Sequence, residues 1–131
     1  MSRVEPVTRQ DRVGLRVPAD PAYLTVLRTA TAGLAARLDL TLDEIEDLRI
    51  AVDEACVLLL VGAADGDHLD ASFQLEEDLL DIAVTGPASS LPNGHSLTWA
   101  VLAALVGDVT SGSRDGISWI RLRHRRAGLE T

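Results

Sequence analysis

Leu48-Arg-Ile-Ala-Val-Asp-Glu-Ala-Cys-Val-Leu58 reads as the middle of a long helix. Ile45, Leu48, Val52, Cys56 and Leu59 recur at three- and four-residue steps and form one apolar stripe. Ile50, Glu54 and Leu58 make a second line at four-residue spacing, about one face over. Glu54 therefore stands at the border of the buried stripe with an apolar neighbour one turn above and below, either solvated or aimed into a pocket. Upstream, Thr41 and Glu44 have the spacing of a capping box and mark the start of this helix. Gly62 is where it should die.

Asp20 before Pro21 signals an earlier helix start, with Asp as N-cap and Pro in the first turn. Leu24, Leu27, Thr31, Leu34 and Leu38 mark the buried face of that helix. The alternation of Val13 to Val17 predicts a short strand in front of it, and residues 1–12 read as a flexible arm. Beyond the motif helix, Leu69–Leu75 and Leu80–Val84 are expected to pair as strands around Glu76-Glu77-Asp78. Thr85–Ser96, rich in Gly, Pro, Ser and Asn, is expected to be an irregular loop. A third helix over Ser96–Val106 carries Leu97, Val101, Ala104 and Leu105 at helical spacing and ends at Gly107. Val109-Thr110 and Ile117–Arg123 close the chain as a hairpin around Ser111–Gly116, with 127–131 as a tail. Helices and strands segregate, so the fold class is α+β: two layers, with helices on one face of a mixed, mainly antiparallel sheet. Residues 13–126 are read as a single domain.

Of the 131 residues 47% are hydrophobic but only 3% aromatic, so the core must be aliphatic. A formal charge of −8 argues against general affinity for nucleic acid or anionic membranes. The lone cysteine excludes an internal disulfide and suits a reducing cytosol. The longest apolar run, Ala55–Ala64, is too short to span a bilayer, and the polar start broken by Glu5 and Asp11 does not read as a signal peptide. A soluble cytoplasmic protein is the expectation. Cys56 lies on the apolar stripe and reads as a small core residue. His68, His95 and His124 lack ligand spacing, so no metal site is expected. Ser89, Ser90 and Ser96 lack a partner base, and of the adjacent acids Asp53 and Glu54 one is expected to be solvated and one partly paired, with Asp53 read as structural and not catalytic. Arg121, Arg123, Arg125 and Arg126 give an acidic chain a basic end, with the first two on one face of the last strand.

The opening stretch resembles the first conserved box of the GHKL ATPases, as found in the small anti-sigma-factor serine kinases of bacteria. The residues that match are Leu48, Ala51, Val52, Glu54, Ala55 and Cys56. With the order of elements, the resemblance covers roughly Val13 to Arg123 and implies the two-layer Bergerat fold. It makes Glu54 the remnant general base. The family's magnesium-binding Asn falls on Leu58, which cannot ligate a hard cation. The second box, Asp-x-Gly-x-Gly, falls on Val84-Thr85-Gly86-Pro87-Ala88, where Val84 offers adenine no acceptor. The Gly-rich third box falls on the run from Asn93 to Trp99, where Gly94 remains without a second glycine and bulky Trp99 follows. Gly86 and Gly94 are thus remnants of cofactor binding, and neither ATP nor magnesium is expected as cofactor. The resemblance implies a homodimer that grips a sigma factor through its first helices until an anti-anti-sigma partner competes. Arg28 and Arg37, off the apolar stripe, are the partner-binding candidates. The alternative is an active serine/threonine protein kinase that phosphorylates the anti-anti-sigma partner. A third reading is a regulatory module with the same fold and a changed partner.

Overall fold

The chain was analysed as a computed structural model that describes residues 11–128. Thr41 caps helix α2 (Leu42–Leu59) as its sequence predicts: its side chain accepts from the Glu44 N–H, and the Glu44 carboxylate accepts from the Thr41 N–H. The buried side of α2 is Leu48, Ala51, Val52, Ala55, Cys56 and Leu59. Helix α1 (Leu24–Arg37) packs beside it, and helix α3 (Leu97–Val106) lies on its other flank. Asp20 caps a single 3-10 turn, Pro21–Tyr23, which leads into α1.

The second layer is a five-stranded sheet made of β1 (Asp11–Pro18), β2 (His68–Leu75), β3 (Leu79–Gly86), β4 (Asp108–Arg114) and β5 (Ile117–Arg125). Its order is β1-β2-β3-β5-β4, and every pairing is antiparallel, so the sheet is not mixed. Register puts Phe73 beside Ile82 and Ile82 beside Leu122, so one face of the sheet meets the helices across an aliphatic core. The other face is polar, with Arg12 on Gln74, Arg16 on Asp70, and Arg121 and Arg123 on a buried Asp81. Arg121 and Arg123 do share that face.

Several boundaries move. Strand β1 begins at Asp11, inside the stretch read as an arm; residues 1–10 and 129–131 lie outside the described part, and with them most of the arm and tail. In α1 the fully buried position is Ala35, while Leu34 is only half-buried, because the four-residue step from Thr31 continues to 35. The stretch Thr85-Gly86 belongs to β3 and not to the loop. The last hairpin turns in two residues, Asp115-Gly116, both at positive φ, so β4 reaches Arg114. The largest change is in α3. Leu102 and Val106 are its buried residues, and Leu97 and Val101 are exposed. Among the described residues, no helix is long and apolar enough to cross a membrane.

Candidate functional site

On α2 the motif divides into two sides. Leu48, Val52 and Cys56 are fully inside. Burial, with the Asp53 charge adding to it, pushes the Cys56 thiol up to about 12, so it is protonated and inert at neutral pH. Glu54 is exposed, and no hydrogen bond or ion pair engages it among the described residues. Leu58 is half-buried against the core, while Ile50 and Val57 face water. Asp53 is the partly paired acid of the two: its Oδ1 accepts from Arg28 Nη1 at 2.9 Å, and Arg28 Nη2 donates to Thr25 Oγ1 at 2.9 Å. Arg37 is exposed and only 3.9 Å from a carboxylate oxygen of Asp11.

Among the described residues, Gly86 and Gly94 border different clefts. Gly86 borders a cleft of about 420 Å³ lined by Arg16, His68, Asp70 and Ile117. Gly94 borders another of about 430 Å³ with Trp99, Ala100 and Val109. Between them the ground is filled. A Cβ on Gly86 would fall 2.8 Å from both Leu59 Cβ and Leu69 Cδ2 and 2.9 Å from the Leu59 carbonyl oxygen. This glycine therefore lets the end of β3 abut the end of α2. Two residues on, the Ala88 N–H donates to the Leu59 carbonyl at 3.0 Å, and the Ala88 carbonyl accepts from Ser118 Oγ at 2.6 Å. Val84 is a core residue, 1% exposed. Around Gly94, the Asn93 side-chain oxygen accepts from the His95 N–H at 2.7 Å and its carbonyl from the Ser96 N–H at 2.8 Å.

A second polar site was not legible in the sequence. Glu44 is buried in the first turn of α2, where its Oε1 accepts from the Thr41 N–H at 2.9 Å. Its Oε2 accepts from the Ala127 N–H at 2.9 Å and lies 2.7 Å from His124 Nε2. His124 Nδ1 is 2.8 Å from the Val106 carbonyl. Both ring nitrogens thus face oxygens that only accept. Burial pushes the Glu44 carboxyl up, but the Thr41 N–H, His124, the Ala127 N–H and the Thr41 side chain outweigh it and hold it down to about 2. One carboxylate thereby ties the start of α2 to β5, and through His124 to the end of α3. The capping spacing announced only the Thr41 contact; nothing local marks a partner eighty residues away. Among the described residues, no three His, Cys, Asp or Glu side chains converge as a metal site would require.

No family model matches the chain. The protein named Serine-protein kinase RsbW in Halalkalibacterium halodurans is 39% identical over 85 residues, which are 64% of this chain and 52% of that protein. Its namesake in Bacillus subtilis strain 168 is 37% identical over 83 residues, 61% of this chain and 52% of the relative. One from Bacillus cereus is 35% identical over 101 residues, 76% and 59% respectively. The chain is thus similar to proteins named RsbW over 61–76% of its length. It spans between 52% and 59% of the length of these RsbW relatives. A solved structure described as the RsbU and RsbW domains of Rv1364c from Mycobacterium tuberculosis superposes on 88% of this chain and 32% of that one. The TM-score is 0.69 at 16% identity, which establishes the shared fold and nothing finer.

Proposed function

We propose that this chain is an anti-sigma factor of the RsbW family that acts by binding alone. It sequesters a sigma factor, releases it when an anti-anti-sigma partner competes for an overlapping surface, and transfers no phosphoryl group. It works as a homodimer in the cytoplasm, with no direct contact to nucleic acid or membrane, and takes neither ATP nor magnesium. The observation that carries the non-catalytic part is the closure at Gly86. Where the family's second box would let a nucleotide approach the backbone, Leu59 and Leu69 stand at contact distance. The flanking positions agree with this: Leu58 is hydrocarbon where a magnesium ligand is needed, and Val84 is buried where adenine needs an acceptor. Phosphoryl transfer depends on positioning and metal charge, and these positions supply neither. Arg37, exposed and loosely paired, is free to meet the sigma factor; Arg28 meets it already oriented by Asp53.

One observation favours the alternative of an active serine/threonine kinase: Glu54 is exposed and unengaged, as a base awaiting substrate would be. Calorimetric titration with ATP in millimolar magnesium separates the two readings, with a thermal-shift scan in parallel. The binding-only reading expects neither heat nor stabilisation from ATP, and heat on titration with the sigma factor. Micromolar ATP binding would sink it and send the protein to phosphate-transfer assays with the anti-anti-sigma partner.

A further inference from the structure

The ten residues from Pro87 to Ser96 join β3 to α3, and such a connection is ordinarily among the more mobile parts of a fold. Here it is fastened along its length. Ala88, fully buried, is held at its N–H by Leu59 and at its carbonyl by Ser118. Leu91 packs against the core. The far end is gathered by one side chain: Trp99, in the first turn of α3, donates its indole N–H to the Pro92 carbonyl at 3.2 Å and the Asn93 carbonyl at 3.0 Å. Its ring packs partly against the core, so the donor is fixed in position. The same Asn93 carbonyl accepts from the Ser96 N–H, and Ser96 Oγ caps α3 by accepting from the Thr98 N–H at 3.2 Å. Helix start, indole and loop carbonyls therefore form one closed set of bonds.

The geometry points to Trp99 as a positioning residue that locks the 87–96 loop into a single arrangement by itself, with no ligand needed to order it. The inference rests on the partner-switching reading and deepens it: partners exchange against a permanently set loop, not one opened and closed by a bound small molecule. The ring supplies packing and the N–H supplies the lock. Trp99→Phe separates the two, because it keeps the packing and removes the indole N–H from the Pro92 and Asn93 carbonyls, leaving Asn93 only the Ser96 N–H.

Hydrogen exchange read by mass spectrometry or NMR tests this on the full chain. In the wild type without added nucleotide, the His95 and Ser96 amides should exchange slowly. In Trp99→Phe they should exchange about tenfold faster, the size expected when one hydrogen bond to a loop is lost, while Ala88 and the core amides of Ile82 and Leu122 stay as they were. Unchanged core amides exclude a general loss of stability. Fast exchange at His95 and Ser96 in the wild type, or no acceleration in Trp99→Phe, would overturn the assignment. Adding Mg-ATP keeps the two readings distinct. Nucleotide protection of the loop with acceleration in Trp99→Phe intact removes the binding-only function and leaves the Trp99 lock standing. No protection and no acceleration does the reverse.

Discussion

Two glutamates on one helix, ten residues apart, have opposite circumstances. Glu54 sits inside the motif that carries the family resemblance, yet it is exposed and bonded to nothing among the described residues. Glu44 sits in the first turn, where capping is its only sequence signal, yet it accepts from two backbone amides and meets His124 at 2.7 Å. A motif records what a position once had to do; the surroundings record what it does now. On α2 the acid inside the motif is without a partner among the described residues, and the inconspicuous one joins helix layer to sheet.

The comparison is sharpest in stability. Glu44→Ala removes the acceptor of the Thr41 and Ala127 amides and leaves the His124 ring without its carboxylate, so it should cost about 3 kcal/mol, as breaking a buried pair does. Chemical denaturation measures it, and a cost near zero would mean the network is ornamental. Acid adds a second test. The Glu44 pKa is depressed in the fold, to about 2. Its contribution is therefore complete above the ordinary carboxylate range and is lost as pH falls from that range toward 2. Wild type should lose more stability than Glu44→Gln over that interval, although both fall as the other acids protonate. Parallel curves would contradict the depressed pKa.

Gly86→Ala probes the far end of the same helix, at Leu59. The new methyl would stand 2.8 Å from Leu59 Cβ, so β3 and α2 must part, at about 2 kcal/mol by the usual cost of overpacking. A lowered midpoint of thermal unfolding is the expected result. A neutral outcome would mean that the closure yields easily, and would reopen the question of nucleotide access.

How much of this was legible follows from the range of each signal. Thr41 with Glu44, and the three- and four-residue steps from Ile45 to Leu59, are local, so the motif helix could be read with its face and its start. The α+β order followed because each element carries its own punctuation. The face of α3 could not be read, since Leu97, Val101, Leu102, Leu105 and Val106 surround the helix with apolar side chains and no period selects among them. The two-residue turn was available in the Asp115-Gly116 pair, whose residues favour positive φ, but the Ser/Gly-rich approach to it reads equally as loop. Glu44 to His124 and Gly86 to Leu59 were out of reach because tertiary packing alone brings them together. The sequence disclosed which box residues differ; only the packing disclosed what surrounds Gly86 and Val84.

The smallest effect is the most informative about Glu54. An exposed side chain with no partner contributes little to folding, so Glu54→Ala should change stability by no more than about 0.5 kcal/mol. Under the binding-only reading it should also leave sigma-factor affinity and the absence of ATP binding as they are, in contrast to the cost at Glu44. A catalytic Glu54 would give another pattern: unchanged stability together with loss of phosphate transfer to the anti-anti-sigma partner. Stability alone cannot separate those outcomes, because a base waiting in solvent and an idle remnant fold equally well. The variant must therefore be assayed for transfer beside the wild type. Transfer seen in the wild type and lost in Glu54→Ala would return to this residue the function that its surroundings no longer suggest.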